Sequence, residues 1–356
     1  MTSKTKQLVT HVTSKKPGHI RTLDGVRAVS ILLVIASHAV DRYESPTIMR
    51  VGPVGVLVFF ALSGYLITTK LLEEYRATGS ISLRNFYVRR AFRILPPALV
   101  YLAVVWLLSL SGVLICSAAS IRAALLFYTN YADSGGAGWR VSHFWSLSVE
   151  EHFYLFWPFL LIAFGIRNGW KTASAAALCI CLWRVVDDHF GIVGSVFGEQ
   201  LTADLHRTDL TADVLLWGCC SAFFVNGPVT MSKAASTLGS VITLALMIIL
   251  ATGEVRHSTP LLHILPTLFL TALVAVPTAP VGRFLELAPL KFVGRLSYSL
   301  YIWQQLFLGG GDSLLPVPLA VGAIFACAYA SYKFIEQPCI SLGRSFITNP
   351  RAYSRS

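Results

Sequence analysis

Apolar runs long enough to cross a bilayer recur along the whole chain, and they restrict its fold more than any single motif. A helix needs roughly 17 to 25 mostly apolar residues to span a hydrocarbon core of ~30 Å. Runs of that kind lie near 24–41, 53–70, 95–112, 144–165, 172–190, 211–227, 234–252, 260–277, 294–309 and 315–335. Composition agrees: 54% of residues are hydrophobic and only 13% charged, against about a quarter charged in soluble domains. The expectation is an all-α, polytopic membrane bundle of about ten transmembrane helices with no soluble domain. A basic tail at 1–22 precedes one membrane domain at 23–338, and a tail at 339–356 follows. The first 22 residues contain no apolar core, so the first span is expected to stay attached as an anchor rather than be cleaved.

The net charge of +11 raises the question of nucleic acid, but the placement of the basic residues answers it. With the N-terminus inside, 22 of the 29 Lys and Arg fall in cytoplasmic segments. Only Arg42, Arg50, Arg122, Arg140, Arg184, Arg207 and Arg256 fall outside. That asymmetry follows the positive-inside rule, puts both termini in the cytoplasm and needs no nucleic acid. The seven cysteines form no C-x-x-C pair and read as small apolar packing residues, not as a disulfide or metal framework. The 113–143 stretch is the least regular, with Ile121–Tyr131 either open loop or a re-entrant or interfacial piece.

Ionisable groups within the spans are costly in lipid and therefore mark candidate sites. Arg27 and His38 lie eleven residues apart, which is three helical turns, about 20° of residual rotation and roughly 16 Å of rise. They share one face, with Ser30, Val34, Ser37 and Asp41 on or beside it. A snorkelling Arg and a hydrogen-bonded structural His are the simpler reading; it suits Arg27 better than a buried imidazole.

Two further stretches stand out. Ser82–Pro97 carries Arg84, Arg89, Arg90 and Arg93, and every positive residue between Arg84 and Arg93 is Arg. Arg89/Arg93 and Arg90/Arg93 have spacings that face together on a helix. Guanidinium forks suit bidentate phosphate binding, although an anchor to anionic headgroups has the same composition. Pro96-Pro97 is expected to open the following span. His143–Pro158 begins a span with adjacent acids, Glu150 and Glu151, toward the same side as His38. Ser148, Glu151 and Tyr154 share a face at i, i+3 spacing, and Trp145, Tyr154 and Trp157 suit an interfacial belt. No recognisable metal-ligand spacing appears. The small pair Ser63-Gly64 in the second span suits close helix approach.

Five segments occur in order: Leu23-Asp-Gly-Val-Arg…His38, Phe59-Phe-Ala-Leu-Ser-Gly-Tyr-Leu-Ile, Arg89-Arg-Ala-Phe-Arg-Ile-Leu-Pro, Phe144-Trp-Ser-Leu-Ser-Val-Glu-Glu-His-Phe-Tyr and Ser297-Tyr-Ser-Leu-Tyr-Ile-Trp. Together they resemble the acyltransferase 3 family of integral membrane O-acyltransferases, from Asp24 to about Pro338. The family's R-x10-H signature falls on Arg27 and His38, and its R-x-x-R signature on Arg90 and Arg93. Two positions depart: Gln304 stands where relatives often have His, and His152 where they often have Gln. The soluble esterase-like domain appended in some relatives is not expected here.

The resemblance implies an EC 2.3.1.- acyltransferase of the plasma or inner membrane. It would move an acyl group, commonly acetyl, from acyl-CoA as co-substrate, with no other cofactor and no metal. The acceptor hydroxyl would belong to a carbohydrate, a lipid-linked glycan or a small secreted molecule. It assigns His38 to proton transfer or transient acyl holding, supported by Arg27, Glu150 and Glu151. Arg84, Arg89, Arg90 and Arg93 would meet the donor phosphates. Asp24 would pair with Arg27 unless Arg27 meets the donor, and Asp41 or Glu151 would orient the imidazole; Ser148, Tyr154, Tyr298 and Trp303 complete the candidate set. The competing class is a transporter of a polysaccharide or lipid-linked intermediate, since buried ionisable residues also mark transport paths.

Overall fold

The helices begin and end where local chemistry dictates. A computed structural model describes residues 20–40, 51–132, 138–197, 206–225, 231–253, 259–309 and 315–347, and every long element among them is helical. The principal helices are α1 (Thr22–Val40), α2 (Gly52–Thr78), α3 (Leu83–Leu110), α4 (Phe144–Ala163), α5 (Gly169–Phe190), α6 (Asp213–Val225), α7 (Lys233–Thr252), α8 (Pro260–Ala275), α9 (Ala288–Phe307), α10 (Val317–Ser331) and α11 (Gln337–Ser345). Each expected span falls on one of the first ten. By length and composition five segments can cross a membrane: α1, α2, α3, α7 and Val317–Ser345. Trp139–Ala163 and Ile166–Phe190 form a bent pair at 113° that raises the number to six. Large apolar side chains such as Leu107, Leu182, Leu238, Ile249 and Leu319 face outward from these helices, as a lipid-facing surface requires.

Three expectations change. Pro96 and Pro97 do not open α3 but lie inside it. The helix starts earlier because Ser82 caps it, its Oγ accepting from the Asn85 amide at 3.3 Å. Beside the prolines, the Tyr298 hydroxyl donates to the Ile94 carbonyl at 2.6 Å. The arginines therefore stand on the first turns of the same helix that enters the bundle. Trp157 and Tyr154 are buried rather than in an interfacial belt, the Trp157 indole donating to Thr68 Oγ1 at 2.9 Å. Residues 339–345 are part of α11; its Gly343, and Phe346 just beyond its end, pack on Phe92 of α3. Within 113–143, Ala118–Leu125 and Trp139–Ser142 are short helices and Thr129–Tyr131 a tight turn.

Small residues set the helix registers. A Cβ on Gly64 would strike the Leu215 carbonyl, and one on Gly218 the Ala61 carbonyl, so α2 and α6 meet backbone to backbone as the Ser63-Gly64 pair suggests. Gly55 of α2 meets the Ser30 carbonyl of α1, while Gly294 of α9 meets that of Asp24. At Gly165, φ is +80°, a backbone only glycine adopts freely, and here the chain turns from α4 into α5.

Candidate functional site

Two clusters of polar side chains, or chambers, lie along α1, one at each of its ionisable residues. α9 runs beside α1 in the same direction: Gly294 touches Asp24 at one end, and Gln304 touches His38 at the other.

The chamber at Arg27 gathers charges from α1, α3, α4 and the α10–α11 junction. Arg27 pairs with Asp24 at 3.5 Å and lies within electrostatic range of Arg93 and Arg90. The Arg90 guanidinium sits 3.9 Å over the Tyr154 ring. Glu150 accepts from Ser63 Oγ and from the Tyr154 hydroxyl, both at 2.8 Å, with Arg90 and Arg93 acting on it through space. Glu151 lies beside Arg90, and its buried Oε1 has no partner among the described residues. Both acids thus join the arginines, not His38. Tyr154 faces Glu150 at i, i+4, while Ser148 bonds back to the Phe144 carbonyl at 2.9 Å; the i, i+3 grouping with Glu151 does not form. Glu336, absent from the sequence-derived set, is 3% exposed. It accepts from Ser299 Oγ at 3.0 Å and faces Arg93 and Arg27. Its only sequence signal was an acid within an apolar stretch; the structure adds a wide π-turn at Tyr332–Glu336, a device frequent at functional sites.

The arginines divide by role. Arg89 is held by buried Glu74 at 3.2 Å, and Arg84 is exposed. Arg90 and Arg93 are the two that reach the acids, and Arg93 is itself exposed.

The chamber at His38 is built from α1, α3, α9 and the short helix Trp139–Ser142 with His143, which lead into α4. His38 Nδ1 is 3.0 Å from Gln304 Oε1, and the imidazole meets the Trp139 ring edge to face at 5.7 Å. His143, within electrostatic range of His38, has Nδ1 2.6 Å from Gln305 Oε1. That oxygen also accepts from the His143 amide at 3.1 Å and Ser142 Oγ at 3.2 Å. Tyr101 presents its ring to both His143 and Trp303 and donates to the Arg140 carbonyl. Arg140 in turn donates to the carbonyls of Gln305 and Leu306 at 3.0 and 2.9 Å, at the negative end of α9. Three buried nitrogens here have no partner among the described residues: Gln304 Nε2, Trp303 Nε1 and His143 Nε2. Asp41 lies outside the described residues. Gln304 and Trp139 are among the residues that touch the imidazole.

A separate buried network ties α5, α6 and α8. Arg184 meets Asp213 at 2.7 Å, Asp213 meets His263 at 2.8 Å, and Cys181 donates to Asp213 at 3.2 Å. Arg207 bridges Asp187 at 3.0 Å and Asp209 at 2.6 Å. Counted among the outside basic residues in the sequence, Arg184 and Arg207 are 2% exposed because each is matched by acids from neighbouring elements, as a buried charge requires.

The acyltransferase domain family profile matches residues 20–333. A peptidoglycan O-acetyltransferase of Listeria monocytogenes is 29% identical over 357 residues, 90% of this chain and 56% of its own length. A putative O-acetyltransferase of Staphylococcus aureus is 30% identical over 369 residues, 91% of this chain and 58% of its own. A putative peptidoglycan O-acetyltransferase of Bacillus subtilis is 28% identical over 364 residues, 92% and 56%. The chain thus spans somewhat more than half the length of these relatives. No solved structure matches it. With the profile covering almost every described helix and the R-x10-H and R-x-x-R residues of that profile's family gathered into the two chambers, the chain belongs to the acyltransferase 3 family.

Proposed function

We propose that this chain is a membrane O-acyltransferase that moves an acyl group, commonly acetyl, from acyl-CoA to a hydroxyl of a cell-envelope carbohydrate. One observation carries the reading: a single helix joins a chamber of arginines and acids to a chamber holding an amide-bound imidazole. The relatives named for peptidoglycan O-acetylation support a carbohydrate acceptor. Arg90 and Arg93 meet the donor phosphates, as guanidinium forks suit, with both termini on the donor's cytoplasmic side. The long flexible arm of CoA bridges the roughly 16 Å of α1 between the chambers. There His38 accepts the proton of the acceptor hydroxyl. The oxygen attacks the thioester carbon, the C–S bond breaks, and the departing thiolate takes up a proton. The acceptor gains an ester and CoA leaves as the thiol.

The test is His38→Ala and His38→Gln in purified protein, assayed for acyl transfer and separately for acyl-CoA binding. His38→Ala should bind donor normally and lose ~10²–10⁴ in transfer, the usual contribution of a positioned base. His38→Gln should fare little better, because an amide keeps a hydrogen bond but takes no proton. Near-normal transfer by His38→Gln would overturn the assignment and move the search for the base to Glu150 or Glu151.

A further inference from the structure

Gln304 and Gln305 sit side by side on α9, and each holds one histidine. The orientation of Gln305 is dictated by its surroundings. Its Oε1 lies 3.1 Å from the His143 backbone N–H, which can only donate, so this atom is the amide oxygen. His143 Nδ1, 2.6 Å from the same oxygen, therefore carries a proton, and its lone pair lies on Nε2.

Gln304 repeats the arrangement on His38. Its Oε1 lies 3.0 Å from His38 Nδ1, and the side chain is fully buried. Its Nε2 has no hydrogen-bond partner among the described residues. A buried amide N–H without a partner is costly, and the cost is removed when a ligand oxygen binds it. Trp303 Nε1, on the preceding residue of α9, is another buried donor without a partner among the described residues. Spare donors on α9, one of them on the amide that touches the imidazole, suit a ligand that brings a carbonyl or hydroxyl oxygen.

We propose that Gln304 is a two-sided positioning residue: its carbonyl holds the Nδ1–H of His38, which leaves Nε2 as the proton-accepting nitrogen, and its N–H binds an oxygen of the acyl group or acceptor. The proposal rests on His38 acting as the base. It also gives a chemical role to a position where relatives often carry His, since imidazole and amide can each accept from one side and donate from the other.

The experiment compares Gln304→Leu, Gln304→Glu and Gln304→His in the full chain, purified in detergent, with acetyl-CoA as donor and acid-hydrolysed peptidoglycan fragments as acceptor. Thermal unfolding and donor binding are recorded in parallel. Leu removes both hydrogen bonds; Glu keeps the acceptor and loses the donor; His keeps both. Gln304→Leu should lower kcat by ~10²–10⁴, approaching the loss of the base itself, with donor KM within about threefold. Gln304→Glu should regain at least tenfold of that loss, and Gln304→His should come nearest to the native rate. If Gln304→Leu works at the native rate, or if Glu is no better than Leu, the proposal fails: in the first case the amide is packing, in the second its oxygen does not hold His38. Should Leu unfold, the order His above Glu above a Gln304→Met control decides the matter. His38→Ala in the same assay separates the two readings. An active His38→Ala overturns the base assignment itself, whereas an inactive His38→Ala with a normal Gln304→Leu overturns only the role of Gln304.

Discussion

At the scale of single residues, the charged groups of α1 and α3 are sorted by what each one touches. Four arginines stand in the first turns of α3, and composition alone treats them alike. Glu74 occupies Arg89, and Arg84 is exposed, which leaves Arg90 and Arg93 facing the acids. A donor phosphate arriving at Arg90 competes with the Tyr154 ring beneath it and with Glu150 across from it. Arg90→Ala should therefore weaken acyl-CoA binding by about 1.5–3 kcal/mol, the range of a charge-assisted hydrogen bond, which is roughly ten- to a hundredfold in Kd. Arg93→Ala should cost less, because water screens its more exposed guanidinium. Titration calorimetry with acetyl-CoA on the purified variants measures both. Unchanged affinity in the pair would return the cluster to a role at lipid headgroups.

At the scale of helices, close backbone contacts decide which side chains meet. α2 crosses α6 with Gly64 against Leu215 and Gly218 against Ala61, and the approach places Ser63 against Glu150 of α4. Leucine at position 64 leaves hydropathy unchanged or higher, so insertion into the membrane should proceed. Its side chain nevertheless has no room, and Gly64→Leu should destabilise the folded bundle by about 1–3 kcal/mol, the usual cost of overpacking. A lowered unfolding temperature in detergent, at normal membrane abundance, is the expected result; an unchanged one would show that α2 and α6 can part without penalty. The same logic explains why Pro96 and Pro97 lie within α3: the Ser82 cap starts the helix more than three turns upstream, and Tyr298 of α9 docks beside the prolines. Only the local preference of proline for first turns was readable from the sequence.

At the scale of the whole molecule, the basic residues and the apolar spans make a joint statement about orientation. Ten spans with both termini inside, as we propose, would put 22 of the 29 Lys and Arg on one side, and reporter fusions at Ser134 and after Ser356 should then read external and cytoplasmic respectively. A cytoplasmic signal at Ser134 or an external one at the C-terminus would overturn the ten-span arrangement. What the chain discloses without its structure is what depends on short range. Run lengths locate the apolar helices, a period of 3.6 places Arg27 and His38 on one face, and ordered motifs identify the family. Contacts between helices lie beyond that reach. His38 and Gln304 are 266 positions apart, Glu336 meets Ser299 across 37, and Arg184 meets His263 across 79. Whether two such residues touch depends on the axial register of their helices, set by small residues such as Gly294 against Asp24. Periodicity fixes a side chain's angle on its own helix but carries no information about its height against a neighbour. For that reason Glu150 and Glu151, expected near His38, lie with the arginines, and the imidazole meets an amide from α9.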